Sequence, residues 1–207
     1  MILFGKNLER EIAIIAEVGV NHEGDPAAAR RLIGLAAEAG AHAIKFQSYT
    51  PERYAAANDA ERLARVTRMS LNQNVHRELA AEAHNRGIPF FSTPLTEDWV
   101  PLIAELGAAI KIASGDLTFE PVIRAAARTG KPVILSTGLG TVEEIDRAVD
   151  WVRQEVGDAV LADRLALLHC VVAYPTPIDE ANLLAIPRSE EHTSELQSRF
   201  GISYAVF

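Results

Sequence analysis

The stretch Gly40-Ala-His-Ala-Ile-Lys-Phe-Gln47 is a short apolar run that follows a glycine and ends in polar side chains, those of Lys45 and Gln47. A near-repeat, Gly107-Ala-Ala-Ile-Lys111, places a second lysine in the same context. A short apolar run bounded by a turn signal is typical of a buried strand. Both stretches therefore predict a buried strand that carries a lysine toward its C-terminal end.

Similar apolar runs recur along the chain and alternate with helical segments. We predict six strands, over Ile12–Val18, Ala43–Phe46, Ile88–Phe91, Ala109–Ala113, Pro132–Leu135 and Leu165–Val172. Between them, Asp25-Pro26 begins a helix that Gly40 ends, and Thr141-Val-Glu-Glu144 is a capping box at the start of another. Strand–helix alternation at this pace predicts a parallel sheet with right-handed crossovers.

Polar side chains follow nearly every predicted strand. They are Glu17, Lys45, Gln47, Ser92, Thr93, Lys111, Ser114, Ser136, Thr137 and Tyr174. An open sheet concentrates its ligand at one switch point, whereas a barrel gathers functional groups from the C-terminal ends of many strands. We therefore predict an α/β fold of the TIM (β/α)8 type that is incomplete, with about six of the eight β/α units of a full barrel.

The composition is that of a globular protein of one domain, with 207 residues of which 48% are hydrophobic and 23% charged. Since the net charge is −8 and no basic run occurs, we expect neither nucleic acid nor an anionic membrane surface as a partner. We also expect no signal peptide and no membrane span. The single cysteine, Cys170, excludes an internal disulfide and fits a reducing cytoplasm.

The C-terminal segment Arg188–Phe207 breaks the strand–helix pattern. Its two blocks, residues 188–198 and 202–207, resemble the in-frame translation of a common sequencing-library adapter, with Arg199-Phe-Gly201 where a variable index would sit. We expect a partial barrel domain over residues 1–187 and a non-native tail without a seventh strand over residues 188–207, so that the gene is cut. The alternative is a natural polar tail.

Two lysines inside apolar strands are expensive to bury without a partner. Lys45 and Lys111 either pair with structural carboxylates or, together with the hydroxyl groups of Thr93, Ser114 and Ser136, form an anion site. Ammonium groups and hydroxyl donors suit a phosphate and a carboxylate held together. This set of residues predicts a site for phosphoenolpyruvate or for a phosphosugar.

Other polar residues leave their roles open. Glu17 either pairs with a pocket lysine or moves protons at a reacting sugar. His22 and Glu23 belong to the first strand-to-helix loop, where they either cap the loop or contact substrate. For His169 a core role is favoured over ligation, and Cys170 has no visible activating partner and is expected to pack. The sequence has no nucleotide-binding glycine loop and no zinc-ligand spacing.

Six ordered motifs together resemble the N-acetylneuraminate (sialic acid) synthase family. They are Ile14–Gly24, Ala43–Gln47, Phe91–Pro94, Lys111–Asp116, Leu135–Gly138 and Leu168–Pro177. The resemblance implies a TIM barrel that condenses phosphoenolpyruvate with N-acetylmannosamine or a related amino-sugar aldehyde. It implies bonding of carbon 3 to the aldehyde carbon, attack of water on carbon 2, and loss of phosphate through carbon–oxygen cleavage. It also implies a homodimer in which a C-terminal antifreeze-like domain, absent from this sequence, completes the neighbouring subunit's site.

The resemblance assigns roles to individual residues. Five match positions that hold phosphoenolpyruvate, namely Lys45, Thr93, Lys111, Ser114 and Ser136. Glu17 matches a carboxylate close to the reacting aldehyde, and Asp116 and Tyr174 match sugar-side positions. The family implies a divalent metal, usually manganese and otherwise magnesium, that polarises the aldehyde. Its ligating histidines follow the sixth strand, so no metal ligand is expected in this chain. At Val172 family members often carry asparagine or serine, which leaves the acceptor sugar open between N-acetylmannosamine and legionaminic- or pseudaminic-type precursors.

Two other functions remain compatible with the same fold. One is an aldolase that forms a Schiff base through Lys45 or Lys111. The other is a barrel that binds a phosphosugar without turnover. Borohydride trapping distinguishes the first from the synthase, and phosphate release on mixing both substrates excludes the second.

Overall fold

The structure is a computed structural model that describes residues 1–173, 175–186 and, by their backbone alone, 200–202. The described chain forms two compact units. The first unit comprises residues 2–110, and the second comprises Met1 and the residues from Lys111 onward. Each unit alternates strands with helices.

The strands of the first unit form a hairpin and a parallel sheet. They are β1 (Ile2–Leu3), β2 (Lys6–Asn7), β3 (Ile15–Gly19), β4 (Ala43–Ser48), β5 (Phe90–Pro94) and the first residue of β6 (Ile110–Ile112). β1 and β2 pair antiparallel, whereas β3, β4, β5 and β6 are neighbours in this order and parallel. The sheet order therefore follows the chain order, as consecutive β/α units require.

Five helices accompany these strands. They are α1 (Pro26–Glu38), α2 (Pro51–Tyr54), α3 (Ala60–Met69), α4 (Gln73–Asn85) and α5 (Val100–Leu106), with a 3-10 turn at Glu97–Trp99. The predicted start of α1 is confirmed, because Asp25 caps it through the amide of Ala27 and Pro26 occupies its first turn. Helices α1 and α4 bury Ile33 and Leu79 in the core that also holds Phe46.

The second unit continues the same alternation. Its strands are β7 (Val133–Ser136), β8 (Leu165–His169) and β9 (Phe200–Ile202), and its helices are α6 (Glu120–Arg128), α7 (Val142–Val156) and α8 (Asp158–Arg164). Two 3-10 turns lie at Ser114–Asp116 and Ile178–Glu180. β8 pairs in parallel with both β7 and β9. The predicted capping box is present, since Thr141 and Glu144 each bond the other's backbone amide.

All six predicted strands are present, although most of their ends differ from the prediction by one to three residues. β3 begins at Ile15 rather than at Ile12, whose side chain is 82% exposed and gains nothing from a sheet position. β8 ends at His169 rather than at Val172. The expectation that the tail holds no strand is wrong for Phe200–Ile202, which pair with Leu167–His169. The unpaired edge of β8 explains this, because exposed strand edges recruit further backbone.

The hairpin of β1 and β2 was not predicted. Its two-residue turn, Phe4-Gly5, has positive φ at both positions, as a type I′ turn requires. Phe4 adopts this unusual conformation while its ring packs against Phe91 with centroids 4.9 Å apart. Within the described part of the chain, no helix combines the length and apolar character that crossing a membrane demands.

Candidate functional site

Three of the predicted site residues meet at the C-terminal ends of β3, β4 and β5. Glu17 Oε2 lies 2.6 Å from Lys45 Nζ, which donates to Thr93 Oγ1 at 3.2 Å. The register explains the ion pair, because Glu17 lies directly opposite Lys45 on the neighbouring parallel strand. The two side chains are only 23% and 13% exposed. The structure therefore shows the arrangement in which Glu17 pairs with a lysine of the site.

Gly19 allows this carboxylate to fold back over the strand end. It has a φ of +55°, and a Cβ at this position would lie 2.9 Å from Glu17 Oε1 and 3.7 Å from Gln47 Nε2. The side chain of Gln47 therefore lies beside the Glu17–Lys45 pair. Sequence reasoning noted Gln47 as a strand-end polar residue without giving it a role. Its register opposite Thr93 is the signal that places it in this cluster.

His22 caps the loop after β3. The amide of Gly24 donates to its Nδ1 at 3.0 Å, and the side chain is buried against Phe46. Burial lowers the pKa of His22 to about 4, with the charge of His76 acting in the same direction. Of the two roles left open for His22, the structure shows loop capping, and the ring is neutral at physiological pH.

In the second unit, Lys111 lies in β6 and Asp116 in the 3-10 turn that follows it. Lys111 is 7% exposed and its Nζ donates to the carbonyl of Ile112 at 2.6 Å. The Oδ2 atom of Asp116 is buried and accepts no hydrogen bond. Burial raises the pKa of Asp116 to about 6, although the charge of Lys111 opposes the shift. Asp116 is therefore a carboxyl group that can exchange a proton close to neutral pH.

Ser114 and the end of β7 approach each other at Gly138. A Cβ on Gly138 would lie 2.9 Å from Ser114 Oγ, 2.9 Å from a methyl group of Val172 and 3.2 Å from the carbonyl oxygen of Cys170. Ser136, two residues before Gly138, is buried at the end of β7. The glycine therefore leaves room for the Ser114 hydroxyl, with an apolar side chain, that of Val172, on its other side.

The remaining predicted residues have structural contacts or lie outside the described part. His169 Nε2 bonds the carbonyl of Ala181 at 2.8 Å, and Cys170 Sγ is half-buried and donates to the carbonyl of Leu168 at 3.5 Å. Tyr174 lies outside the described residues. Within residues 1–173 and 175–186, no three or more His, Cys, Asp or Glu side chains are grouped to hold a metal ion. The described residues therefore do not form the metal site that the family resemblance implies.

The sequence of the chain matches a known protein family. The model of the NeuB family matches residues 32–203. The chain belongs to the NeuB family. The resemblance that the six motifs carry is thereby confirmed.

Two of the curated relatives of the chain are named as synthases of legionaminic and pseudaminic acid. The chain is 36% identical to the N,N'-diacetyllegionaminic acid synthase of Campylobacter jejuni, over 86% of the chain and 56% of that protein. It is 31% identical to a pseudaminic acid synthase of the same species, over 89% of the chain and 57% of that protein. An uncharacterised Methanocaldococcus jannaschii protein is 41% identical over 84% of the chain and 50% of its own length. The NeuB-family chain thus spans about half the length of these relatives.

Solved structures confirm the fold class. A sialic acid synthetase from Leptospira borgpetersenii, crystallised with citrate, superposes with a TM-score of 0.81 at 34% identity, over 95% of this chain and 65% of that one. A truncated 3-deoxy-D-arabino-heptulosonate 7-phosphate synthase from Thermotoga maritima has a TM-score of 0.62 at 17% identity, which shows a shared fold alone. The prediction of an incomplete α/β barrel of the TIM type is confirmed.

Proposed function

We propose that the complete gene product condenses phosphoenolpyruvate with an amino-sugar aldehyde to give a nonulosonic acid and phosphate. The observation that carries this proposal is the Glu17–Lys45–Thr93 cluster at the C-terminal strand ends of a NeuB-family chain. Strand C-termini are where (β/α)8 enzymes bind their substrates. A lysine with a hydroxyl neighbour suits one of the two anionic groups of phosphoenolpyruvate.

Each predicted residue has a role in this reaction. Lys45 and Lys111 bind the phosphate and carboxylate of phosphoenolpyruvate, and the hydroxyl groups of Thr93, Ser114 and Ser136 donate hydrogen bonds to them. Binding draws Lys45 away from Glu17, and the released carboxylate then faces the aldehyde that reacts. Asp116 and Tyr174 contact the sugar. The buried, unpartnered oxygen of Asp116 supports this role, because a sugar hydroxyl would satisfy it.

The reaction forms one carbon–carbon bond and consumes one water molecule. Carbon 3 of phosphoenolpyruvate attacks the aldehyde carbon, water adds to carbon 2, and phosphate leaves with the bridging oxygen. The divalent metal, manganese or magnesium, would polarise the aldehyde when bound. We propose that its ligands lie in the part of the gene product that follows Pro187, together with two further β/α units and an antifreeze-like domain that completes the site in a cytoplasmic homodimer.

The relatives support a synthase and leave a choice of acceptor. Sequence identity is 36% to a legionaminic acid synthase, 31% to a pseudaminic acid synthase and 29% to the N-acetylneuraminate-9-phosphate synthase of Drosophila melanogaster. We therefore propose that the acceptor aldehyde is N-acetylmannosamine or the amino-sugar precursor of legionaminic or pseudaminic acid. Purified enzyme should be assayed against each in turn.

The experiment that tests the proposal measures phosphate released by the complete gene product. Manganese and phosphoenolpyruvate are supplied with or without each amino sugar. We expect phosphate only when both substrates are present, in a one-to-one ratio with a new nonulosonic acid seen by mass spectrometry. Binding of phosphosugars without any phosphate release would instead support a non-catalytic barrel.

The Schiff-base aldolase has less support in the structure. Imine formation needs a neutral, unpaired amine, whereas Lys45 is ion-paired with Glu17 at 2.6 Å. We expect borohydride, added during turnover, to leave the enzyme mass unchanged. A mass increase equal to a reduced substrate adduct on Lys45 or Lys111 would establish the aldolase and contradict the synthase.

A further inference from the structure

A chain of buried polar side chains lies directly behind the Lys45–Thr93 pair. Ser48 Oγ contacts Ser92 Oγ at 2.6 Å and His76 Nε2 at 2.9 Å. All three of these side chains, on β4, β5 and α4, are at most 1% exposed. Buried hydroxyl and imidazole groups are costly unless each has a partner, and this chain supplies one for each.

Both ring nitrogens of His76 have hydrogen-bond partners. His76 Nδ1 lies 3.1 Å from the carbonyl oxygen of Asn72, which can only accept, so Nδ1 carries the proton. Burial lowers the pKa of His76, although backbone hydrogen bonds with Asn72 and Gln47 oppose the shift. Ser48 thus links Ser92 to Nε2 of His76, and Nδ1 of His76 links this group to the helix backbone at Asn72.

The side chains of Ser48, Ser92 and His76 join β4, β5 and α4 on the face opposite the substrate residues. Ser48 follows Gln47, and Ser92 precedes Thr93, while Gln47 and Thr93 are register partners. Because successive side chains of a strand point to opposite faces, the serines face α4. Their contact therefore bridges the two strands on the face opposite the strand ends where Lys45 donates to Thr93 at 3.2 Å.

The imidazole is itself held in place from its other side. The ring of Trp99 packs on His76 with centroids 4.7 Å apart, and its Nε1 donates to Thr50 Oγ1 at 3.1 Å. Thr50 belongs to the loop after β4 and donates to Asp98 Oδ2 at 2.5 Å. Helix α4, strand β4 and the turn after β5 are thus joined through His76.

We propose that His76 is a positioning residue that acts through Ser48 and Ser92 to set the Lys45–Thr93 spacing for phosphoenolpyruvate. The proposal rests on the proposed function. It does not make His76 a catalytic residue, because no described contact joins it to Lys45 or to Thr93 and the ring has no access to solvent. Its effect on substrate is transmitted through the spacing of two strands.

The experiment compares Ser48→Ala, Ser92→Ala, His76→Ala and His76→Gln in the complete gene product. The control is Ile33→Val. Ile33 is a fully buried residue of α1, and loss of one methylene lowers stability without changing the hydrogen bonds among Ser48, Ser92 and His76. Two quantities are measured below every variant's unfolding temperature. One is the NMR signal of the Lys45 side-chain ammonium without substrate, and the other is the dissociation constant of phosphoenolpyruvate by calorimetry.

We expect Ser48→Ala to shift the Lys45 ammonium signal and weaken phosphoenolpyruvate binding about 3- to 10-fold, the range that loss of one hydrogen bond implies. Ile33→Val should leave both the ammonium signal and the dissociation constant unchanged, even if it lowers the unfolding temperature as much as Ser48→Ala does. His76→Gln, whose amide can replace Nε2, should recover part of the affinity that His76→Ala loses. If Ser48→Ala does not fold, Ser92→Ala takes its place in the comparison.

Equal effects of Ser48→Ala and Ile33→Val on both quantities would overturn the positioning role. Failure of the unmodified protein to bind phosphoenolpyruvate would overturn the proposed function instead. In that case the Lys45 ammonium signal still decides whether Ser48, Ser92 and His76 set the Lys45–Thr93 spacing, because this signal is recorded without substrate.

Discussion

At the scale of single residues, charge and burial decide what the site can bind. Lys111 is the more deeply buried of the two lysines, so an anion that pairs with it is well shielded from solvent. Asp116 instead has a buried carboxyl oxygen that accepts no hydrogen bond. Both residues make predictions that can be tested separately.

Lys111→Ala should raise the KM for phosphoenolpyruvate and lower turnover. Removing a buried charge partner of an anion typically costs about 2–5 kcal/mol. Steady-state kinetics on the complete gene product measure this change. The control is Lys6→Ala, which removes a lysine whose ion-pair partner, Glu11 at 3.2 Å, is not one of the site residues. Unchanged phosphoenolpyruvate kinetics in Lys111→Ala would remove this lysine from the site.

Asp116→Asn should alter how stability depends on pH. Burial raises the pKa of Asp116 from 3.8 to about 6, so the folded protein favours the protonated acid. The contribution of this group is therefore full below pH 4 and is lost as the pH rises through 6. Relative to the native protein, Asp116→Asn should gain about 1–2 kcal/mol of unfolding free energy between pH 4 and pH 7, less than the full shift gives because solvent screens part of the side chain.

Urea unfolding at a series of pH values measures this difference. Asp146→Asn on α7 is the control, because it removes a carboxyl group that is not fully buried and lies outside the site. A stability difference between Asp116→Asn and the native protein that stays constant from pH 4 to pH 7 would show that Asp116 is an ordinary carboxylate.

At the scale of secondary-structure elements, the ends of strands matter more than their middles. Gly138→Ala should weaken phosphoenolpyruvate binding, because the added Cβ would lie 2.9 Å from Ser114 Oγ and 3.2 Å from a backbone carbonyl. The Ser114 hydroxyl is the group that can move away from the added Cβ, and this displacement lowers the free energy of unfolding by about 1–3 kcal/mol. Gly115→Ala, in the same turn as Ser114, adds a Cβ that meets nothing within 4 Å and is the control. Equal affinities for both variants would contradict the close approach.

The sequence predicted the strands well because each is an apolar run between turn signals. It did not predict β1 and β2, since two-residue strands have no periodicity, nor the pairing of Phe200–Ile202, which depends on the free edge of β8. Alternative roles for Glu17 stayed open because only the strand register places it opposite Lys45. Ser48 and His76 were missed because nothing in a single sequence shows that a serine and a helical histidine face each other.

At the scale of the whole molecule, the length of the chain relative to its relatives decides what can be expected of its stability. The chain spans about half of its curated relatives. Strand β3 has β4 as its single strand neighbour among the described residues, and Ile12 and Ile14 beside it are exposed. Open apolar edges of this kind recruit other chains, and a barrel that lacks units has interior layers open to water.

Expression of residues 1–207 alone should therefore give an aggregating protein without synthase activity. Size-exclusion chromatography and phosphate release with phosphoenolpyruvate, N-acetylmannosamine and manganese measure both properties. The gene product with its genomic continuation past Pro187 is the comparison, and it should be soluble and active. A soluble monomer of the 207 residues with metal-dependent turnover would contradict this account, as would a natural stop codon after Phe207 in independently amplified genomic DNA.

The central claim is that the gene product adds phosphoenolpyruvate to an aldehyde and releases phosphate by carbon–oxygen cleavage. Phosphoenolpyruvate labelled with oxygen-18 at the bridging oxygen tests it in one measurement, made on the complete gene product with manganese and an amino sugar. We predict that the label appears in inorganic phosphate and that its release requires the amino sugar. Label retained in the organic product, or phosphate released equally without the sugar, would contradict the claim.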